Sequence, residues 1–252
     1  MNGATLEVEE AGNGPAVLFL HGGLGDRRLW EPQAAALASR FRCIRYDLRF
    51  FGRSSGPAAP WSSVDDAIGV LDALGVERTA VVGLSLGGGL ALDLAAANPD
   101  RVWAIVHVAA SFTGAPANLD GDGQEAAYDE AIARGDLDAA MDIDFALWAP
   151  LGVDDTLREL WRETPDARGG LPAGAQPLPR AEPRLEEITA PTLVVIAAED
   201  PAFLREHGET VARRVPGARR VVVASDHYLT LRRPEQLGEL LLVFLGAAAP
   251  PA

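Results

Sequence analysis

The sequence predicts an α/β fold in which helices flank a mostly parallel, twisted β-sheet and one helical cap is inserted. Short apolar runs alternate with segments of helical periodicity, which is typical of parallel strands joined by crossover helices. The runs are rich in Val, Ile and Leu, as expected of strands that are buried on both faces. We predict six strands, at 16–20, 43–46, 79–84, 102–109, 192–197 and 220–224.

Helices are predicted between these strands, at 27–40, 63–74, 86–98, 203–215 and 234–245. The segments LWEPQAAALASR and PEQLGELLLVFL repeat apolar residues with a period of about 3.6. The dipeptide Asn98-Pro99 ends the third helix, because proline cannot continue one.

The stretch 112–188 breaks the alternation and contains no convincing strand. It holds two helix-like pieces, EAAYDEAIARGD and LDAAMDIDFALWA, followed by a segment rich in Gly and Pro that is typical of an extended loop. We therefore expect a core formed by 1–111 and 189–252, with 112–188 inserted between core strands as a helical cap.

Charge and composition exclude several classes of function. The 252-residue chain carries a formal net charge of −14, which disfavours binding to nucleic acid and to anionic membrane surfaces. All of its basic side chains are arginine, so Schiff-base chemistry and a P-loop lysine are excluded. No apolar run approaches the roughly 18 residues needed to cross a bilayer, and the N-terminus lacks a secretory pattern. We expect a cytoplasmic protein.

The single cysteine, Cys43, lies in the strand-like run FRCIRY and excludes an internal disulfide. We expect it to be a small buried apolar residue. A cysteine nucleophile is the alternative, but nothing around Cys43 resembles the surroundings of an activated thiol.

The run Gly83-Leu84-Ser85-Leu86-Gly87 matches the pattern G-x-S-x-G. Composition alone would give roughly 0.09 such matches by chance, so the pattern needs its context. A Val-rich strand precedes it and an Ala- and Leu-rich helix follows, which is the strand–turn–helix arrangement of a nucleophile elbow. The glycines allow the abrupt turn, and Ser85 is the predicted nucleophile. The alternative is a tight turn whose serine caps the helix.

A serine nucleophile needs a base, and four histidines are candidates. His107 lies inside an apolar strand and is expected in the core, whereas His207 lies among Arg and Glu in a helix and is expected to be solvated. His21 directly follows an apolar strand. His227 follows the last strand and precedes the C-terminal helix, so its loop can reach the elbow across the top of the sheet. His227 is the predicted base.

The acid that orients this histidine is predicted to be Asp200, at the end of the strand TLVVIAAED. Glu199 and Asp226 are alternatives, although Asp226 is too close to His227 in sequence to bond its ring comfortably. The order Ser85, Asp200, His227 is the order found in the fold that carries the G-x-S-x-G elbow.

Two backbone N–H groups are expected to bind the oxyanion of the transition state. One belongs to Leu86, the residue after the nucleophile. The other is assigned to Gly23 in the run HGGLG, whose glycines permit close approach of the backbone. The alternative is that this run is only a flexible turn.

Five segments, taken in this order and spacing, resemble the α/β-hydrolase superfamily over about residues 6–246. They are LFLHGGLGDRRLW, YDLRFFGRSS, VVGLSLGGGLALDLAAANPDRV, LVVIAAEDPAF and SDHYLTLRRPEQ. They look most like the capped, small-molecule branch that includes carboxylesterases, 3-oxoadipate enol-lactonases and carbon–carbon bond hydrolases. The resemblance implies the same triad and oxyanion residues, and it implies that His21 braces its loop rather than moving protons.

The sequence departs from the family pattern near the site. Phe50 replaces the first glycine of D-x-R-G-x-G-x-S, where a positive φ would strain it and its ring could narrow the pocket entrance. Leu84 stands where many relatives have His or Gln. Tyr228-Leu229-Thr230 replaces a more usual apolar–Pro pairing. These changes leave the triad intact but weaken any inference about the substrate.

The expected function is hydrolysis of a small-molecule carboxylic ester or lactone through an acyl-enzyme, without metal or organic cofactor. Alternatives on the same fold are a carbon–carbon bond hydrolase and a cofactor-free perhydrolase or biosynthetic cyclase. A non-catalytic ligand receptor is the alternative of another class. Dehalogenases and epoxide hydrolases of this family carry Asp where this chain has Ser85.

The expected partner is a small-molecule substrate bound by a monomer or homodimer. We predict a mostly apolar, medium-sized pocket for an uncharged or weakly polar acyl group. Its candidate lining residues are Phe50, Phe145, Trp148 and Trp161.

Overall fold

Helices lie against both faces of a seven-stranded sheet in the computed structural model, which describes residues 3–116, 122–178, 180 and 182–250. The strands are β1 (Val8–Ala11), β2 (Ala16–Leu20), β3 (Arg42–Tyr46), β4 (Pro60–Trp61), β5 (Thr79–Leu84), β6 (Val102–Val108), β7 (Gln176–Pro177), β8 (Thr192–Ala197) and β9 (Arg219–Val223). The helices are α1 (Glu31–Leu37), α2 (Ser63–Ala73), α3 (Leu86–Ala97), α4 (Asp122–Arg134), α5 (Leu137–Trp148), α6 (Asp155–Arg162), α7 (Ala202–Arg214), α8 (Leu229–Arg232) and α9 (Pro234–Ala248).

The strand order is β1-β3-β2-β5-β6-β8-β9, and every neighbouring pair is parallel except β1 with β3. The mostly parallel α/β sheet predicted from the sequence is therefore confirmed. Parallel strands bring their carboxyl ends to one edge of the sheet. The segments that follow β2, β5, β8 and β9, which carry the predicted catalytic and oxyanion residues, consequently emerge at the same edge.

Two apolar layers fill the space between sheet and helices, because alternate side chains of a strand point to opposite faces. Val17 and Phe19 of β2 face the layer that also holds α1 and α9. Leu18 and Leu20 face the opposite layer, with α2, α3 and α7. The central strands β2, β5, β6 and β8 are buried on both faces, as their continuous apolar sequences predicted.

The edge strand β1 was not among the predicted strands, because its sequence VEEA has no apolar run. It pairs with β3 alone, and Glu9 stands opposite Arg45, whose Nη2 lies 2.7 Å from Glu9 Oε2. Cross-strand ion pairing between charged residues supports this strand together with the packing of Val8 against an apolar layer.

Residues 112–188, called here the inserted segment, lie between β6 and β8 and contain α4, α5 and α6. Buried residues of α5 and α6, including Phe145 and Trp161, belong to the same apolar layer as α1 and α9. The expectation that this stretch has no strand is wrong at one point, since β7 pairs in parallel with β4. Two residues are too few to give a periodic sequence signal.

None of the helices within the described ranges has the length and apolar character that crossing a bilayer requires.

Gly83 is the position where β5 turns into α3. A Cβ atom here would clash with the carbonyl oxygen of Gly87 and lie 2.6 Å from the Gly88 nitrogen. Both are backbone atoms, so no rotamer change can relieve the contact.

We expect Gly83→Ala to lower the free energy of unfolding by at least about 3 kcal/mol, measured by urea denaturation. Gly75→Ala is the control, because Gly75 has a φ of 66° but open space around it. It should cost only about 1–2 kcal/mol, and equal losses in both variants would contradict the prediction.

His107 lies fully buried in β6, and its Nε2 donates to the carbonyl oxygen of Ser111 at 3.0 Å. Burial lowers its pKa to about 4. Below pH 6.5 the unfolded chain therefore takes up a proton that the folded chain refuses, and stability falls with pH down to about 4.

We predict that between pH 7 and pH 4.5 the wild type loses about 2–3 kcal/mol more unfolding free energy than His107→Gln. The glutamine can still donate a hydrogen bond but does not titrate. Urea denaturation of both proteins at both pH values measures the difference, and parallel losses would show that His107 does not cause it.

Candidate active site

Ser85 occupies the turn between β5 and α3 with φ 53° and ψ −117°. A positive φ is unfavourable for a residue with a Cβ atom and persists only where the surroundings enforce it. The Ser85 N–H donates to the carbonyl oxygen of Val108 at 3.0 Å. A Cβ atom on Gly87 would lie 2.7 Å from the carbonyl oxygen of His21. Glycine is thus required on both sides of this serine.

The loop that follows β2 passes directly beside this turn. A Cβ atom on Gly22 would lie 3.2 Å from the Cβ atom of Ser85, whereas one on Gly23 would have no atom within 4 Å. Gly23 therefore borders open space next to the serine. Leu86 begins α3, so its N–H lacks a helical acceptor and lies at the positive end of the helix dipole.

His21 is fully buried and braces this loop. Its Nδ1 donates to the carbonyl oxygen of Gly22 at 2.7 Å, and its Nε2 accepts the N–H of Leu48 at 2.8 Å. Burial lowers the pKa of the imidazole, which keeps it neutral. With both nitrogens occupied by backbone groups, His21 has the structural role that the family resemblance implied.

His227 and Asp200 are both buried and lie close together. Nδ1 of His227 is 3.1 Å from Oδ1 of Asp200, and Nε2 forms no hydrogen bond within the described residues. The ring of Trp148 lies over the imidazole, with centroids 4.6 Å apart, and its carbonyl oxygen accepts the His227 N–H at 3.3 Å. The imidazole is therefore held on one side by a carboxylate and on another by an aromatic ring, with one nitrogen left available.

The two alternative acids have other surroundings. The Glu199 side chain is exposed. Asp226 is fully buried, but both of its oxygens are occupied: Oδ1 accepts Arg232 Nε at 2.7 Å, and Oδ2 accepts the Leu151 N–H at 3.2 Å. Of the three candidate carboxylates, Asp200 is the one that contacts the His227 ring.

The sequence suggested that His207 is solvated, and this prediction is wrong. The residue is only 8% exposed. Its Nδ1 lies 3.0 Å from Oγ of Ser111, and its ring packs edge-on against Phe112 and Phe203. Burial lowers its pKa. The charged neighbours in its sequence lie on the other face of α7, which the periodic pattern alone did not reveal.

Cys43 is buried in β3, as predicted, and burial raises its pKa to about 11. The thiol is thus protonated at neutral pH and unsuited to act as a nucleophile. Within the described ranges, no group of three or more His, Cys, Asp and Glu side chains is arranged to hold a metal ion.

A cavity of about 520 Å³ opens next to Gly23 and Leu86. Its apolar wall includes Leu24, Leu48, Phe51, Trp61, Leu90 and Leu178. A second cavity of about 540 Å³ borders the outer side of α3 and shares Leu178 and Arg180 with the first, but neither Gly23 nor Leu86 lines it. Of these two cavities, the first is therefore the one that borders both predicted oxyanion residues, Gly23 and Leu86.

The two arginines on the wall of the first cavity are paired with buried carboxylates. Arg49 makes a bidentate contact with buried Asp66, at 2.8 and 2.6 Å, and Arg180 lies 2.9 Å from buried Asp93. These residues gave no periodic or motif signal in the sequence, because each pair joins positions far apart in the chain.

The four predicted pocket residues occupy different places. Phe50 has φ 72°, so the strain expected for a side chain at this glycine position is present, and its ring packs on Trp61 rather than on the cavity. Trp148 lies half-buried over His227. Phe145 and Trp161 are buried in the apolar layer, where Trp161 Nε1 donates to Asp144 at 2.6 Å. Phe145 and Trp161 therefore serve packing, because the apolar faces of α5 and α6 turn towards the core.

Comparison with known proteins identifies the family of this chain. The α/β hydrolase fold family matches residues 15–234. A 3-oxoadipate enol-lactonase of Acinetobacter baylyi is 28% identical over 254 residues, covering 96% of this chain and 94% of that protein. An epoxide hydrolase of Caballeronia sordidicola is 40% identical over 117 residues, which is 44% of this chain and 36% of that protein. A crystal structure of a hydrolase from Pseudomonas aeruginosa superposes with a TM-score of 0.78 at 27% identity, covering 97% of this chain and 96% of the other. The family predicted from the sequence motifs is confirmed, and the chain belongs to the α/β hydrolase fold family.

Proposed function

We propose that the protein is a serine hydrolase that cleaves a small-molecule carboxylic ester or lactone. The observation that carries this proposal is the buried contact of His227 Nδ1 with Asp200 at 3.1 Å, which leaves Nε2 free at the edge of the sheet where Ser85 lies. A carboxylate at Nδ1 fixes the tautomer in which Nε2 can accept a proton. The strained turn at Ser85 and the adjacent cavity support the same assignment.

In the proposed reaction, Nε2 of His227 takes the proton from Ser85 as its Oγ attacks the carbonyl carbon. The backbone N–H groups of Gly23 and Leu86 bind the oxyanion of the tetrahedral intermediate. His227 returns the proton to the leaving alkoxide, and an acyl-enzyme remains. Water, deprotonated by the same imidazole, attacks the acyl carbon and releases the carboxylic acid and the serine hydroxyl. Neither step requires a metal or an organic cofactor.

The inserted segment is proposed to act as a cap over this site. Trp148 at the end of α5 contacts His227, and Tyr128, Thr164 and Leu171 contribute to the cavity wall. Because Arg49 and Arg180 are each paired with a buried carboxylate, their positive charges are already balanced at the cavity wall. This favours an uncharged or weakly polar acyl group.

The relatives support a hydrolytic reaction, but their names point to different substrates. The enol-lactonase, by its name, acts on a lactone, and its similarity extends over nearly the whole chain. The similarity to the epoxide hydrolase covers less than half of this chain. The family resemblance implies Asp at the nucleophile position of epoxide hydrolases, and Ser85 at that position favours acyl transfer to serine over epoxide opening.

We predict that the purified protein hydrolyses short-chain p-nitrophenyl esters and that Ser85→Ala lowers kcat by at least about a thousandfold, since it removes the nucleophile. Absorbance of p-nitrophenolate measures the rate, and circular dichroism checks that the variant folds. Equal activity in both proteins would exclude Ser85 as the nucleophile. Folded but inactive wild-type protein would instead favour carbon–carbon cleavage, a perhydrolase or cyclase reaction, or a receptor.

The acid is tested separately by Asp200→Asn. The amide cannot stabilise the imidazolium and favours the wrong tautomer, so we expect kcat to fall by about 10³–10⁴-fold. Glu199→Gln is the matched control, because it removes the neighbouring exposed carboxylate, and it should leave kcat within about twofold. A large loss in the Glu199 variant with little loss in the Asp200 variant would reverse the assignment.

A further inference from the structure

The buried carboxylate of Asp226 joins two segments that are distant in sequence. It accepts the Leu151 N–H, from the turn after α5, and Arg232 Nε, from the last turn of α8. It also accepts the N–H of Tyr228 at 3.2 Å. Arg232 Nη2 in turn donates to the carbonyl oxygen of Gly152. We call Asp226 and Arg232, with the backbone of Leu151 and Gly152, the loop clamp.

Asp226 and Arg232 flank His227 in the chain, and both bind the segment that follows α5. Three hydrogen bonds cross from the histidine loop to the end of α5: Leu151 N–H to Asp226, Arg232 to Gly152, and His227 N–H to Trp148. The same end of α5 carries the Trp148 ring that lies over the imidazole. One side of His227 is thus fixed by Asp200 from the core, and the other by the inserted segment.

We infer that Asp226 and Arg232 are positioning residues for His227, holding the imidazole against Asp200 through the end of α5. The inference rests on the proposed function in taking His227 as the base. Asp226 is fully buried and its charge is met by one arginine and two backbone N–H groups, so its geometry is well defined. Without the clamp, the end of α5 that carries Trp148 is held to the histidine loop by the His227 N–H alone, and the imidazole loses part of its support on the side away from Asp200.

This role predicts a specific kinetic effect. Neither clamp side chain lines the cavity of about 520 Å³, so substrate binding should not depend on them. A base displaced by about 1 Å can lower the rate about a hundredfold. Asp226→Asn and Arg232→Gln should therefore lower kcat for p-nitrophenyl esters by about 10- to 100-fold while KM stays within about twofold. Arg232→Lys, which retains the charge and one donor, should recover part of the loss.

The double variant Asp226→Asn/Arg232→Gln should be no slower than the worse single variant, because both substitutions open the same clamp. Val76→Ala is the control for stability. Val76 is buried just before β5, at the opposite edge of the sheet, so its truncation should lower the melting temperature but leave kcat unchanged. Clamp variants that lose only melting temperature would show a merely structural role and overturn the inference.

A second readout does not depend on activity. The chain has four histidines, so ¹⁵N-histidine labelling gives four imidazole spin systems in the full protein. In Asp226→Asn the signals of His227 should shift or broaden, while those of His21 and His107 stay in place. Unchanged His227 signals would overturn the inference. Should Asp226→Asn not fold, Arg232→Gln gives the same readout. If the wild type hydrolyses no ester, the proposed function fails, and the His227 signals still decide whether the clamp positions the ring.

Discussion

The turn from β5 into α3 is the constraint on which the rest of the site depends. Ser85 can take its positive φ only because Gly83 and Gly87 leave room for the backbone atoms that cross beside them. The same close approach brings the first turn of α3 against the carbonyl groups of Leu20 and His21. The loop after β2 is thereby fixed next to the serine, with Gly23 facing open space. The close packing of the backbone at Gly83 and Gly87 therefore fixes the positions of Ser85, the loop after β2 and the adjacent edge of the cavity.

The four histidines differ in the hydrogen-bond partners and the burial of their imidazole rings. His21 has both nitrogens occupied by backbone groups, and the Nε2 of His107 is occupied by a carbonyl oxygen, while burial keeps both rings neutral. His207 is bound to Ser111 and enclosed by phenylalanines. His227 alone among them contacts a carboxylate through Nδ1 and has an unbonded Nε2 within the described residues. These differences arise from tertiary contacts, which explains why the sequence identified His227 by its place in the chain but misjudged His207.

The sequence predicted those features whose cause is local. Apolar runs marked six of the strands, four of them buried on both faces, and the glycines around Ser85 marked the turn. Edge strand β1 was missed because ion pairs stabilise it, and the β4–β7 pair because it is too short for periodicity. Apolar residues of α5 and α6 were visible, but which of them face the core and which face a cavity depends on the docking of these helices. Trp148 consequently lies over His227, while Trp161 is buried in packing.

The pairing of charges around the cavity limits the substrates that the proposed reaction can use. An anionic acyl group at Arg49 would compete with Asp66 for both nitrogens of the bidentate contact, and at Arg180 it would lie close to Asp93; both carboxylates are at most 4% exposed. A buried carboxylate left without its partner costs about 3–5 kcal/mol, more than a new ion pair at the cavity wall would return. Asp166, which also lines the cavity, would further repel an anion. For an uncharged carbonyl compound, by contrast, the N–H groups of Gly23 and Leu86 are donors that need displace no partner. Under the proposed function, the charge arrangement therefore favours uncharged acyl groups.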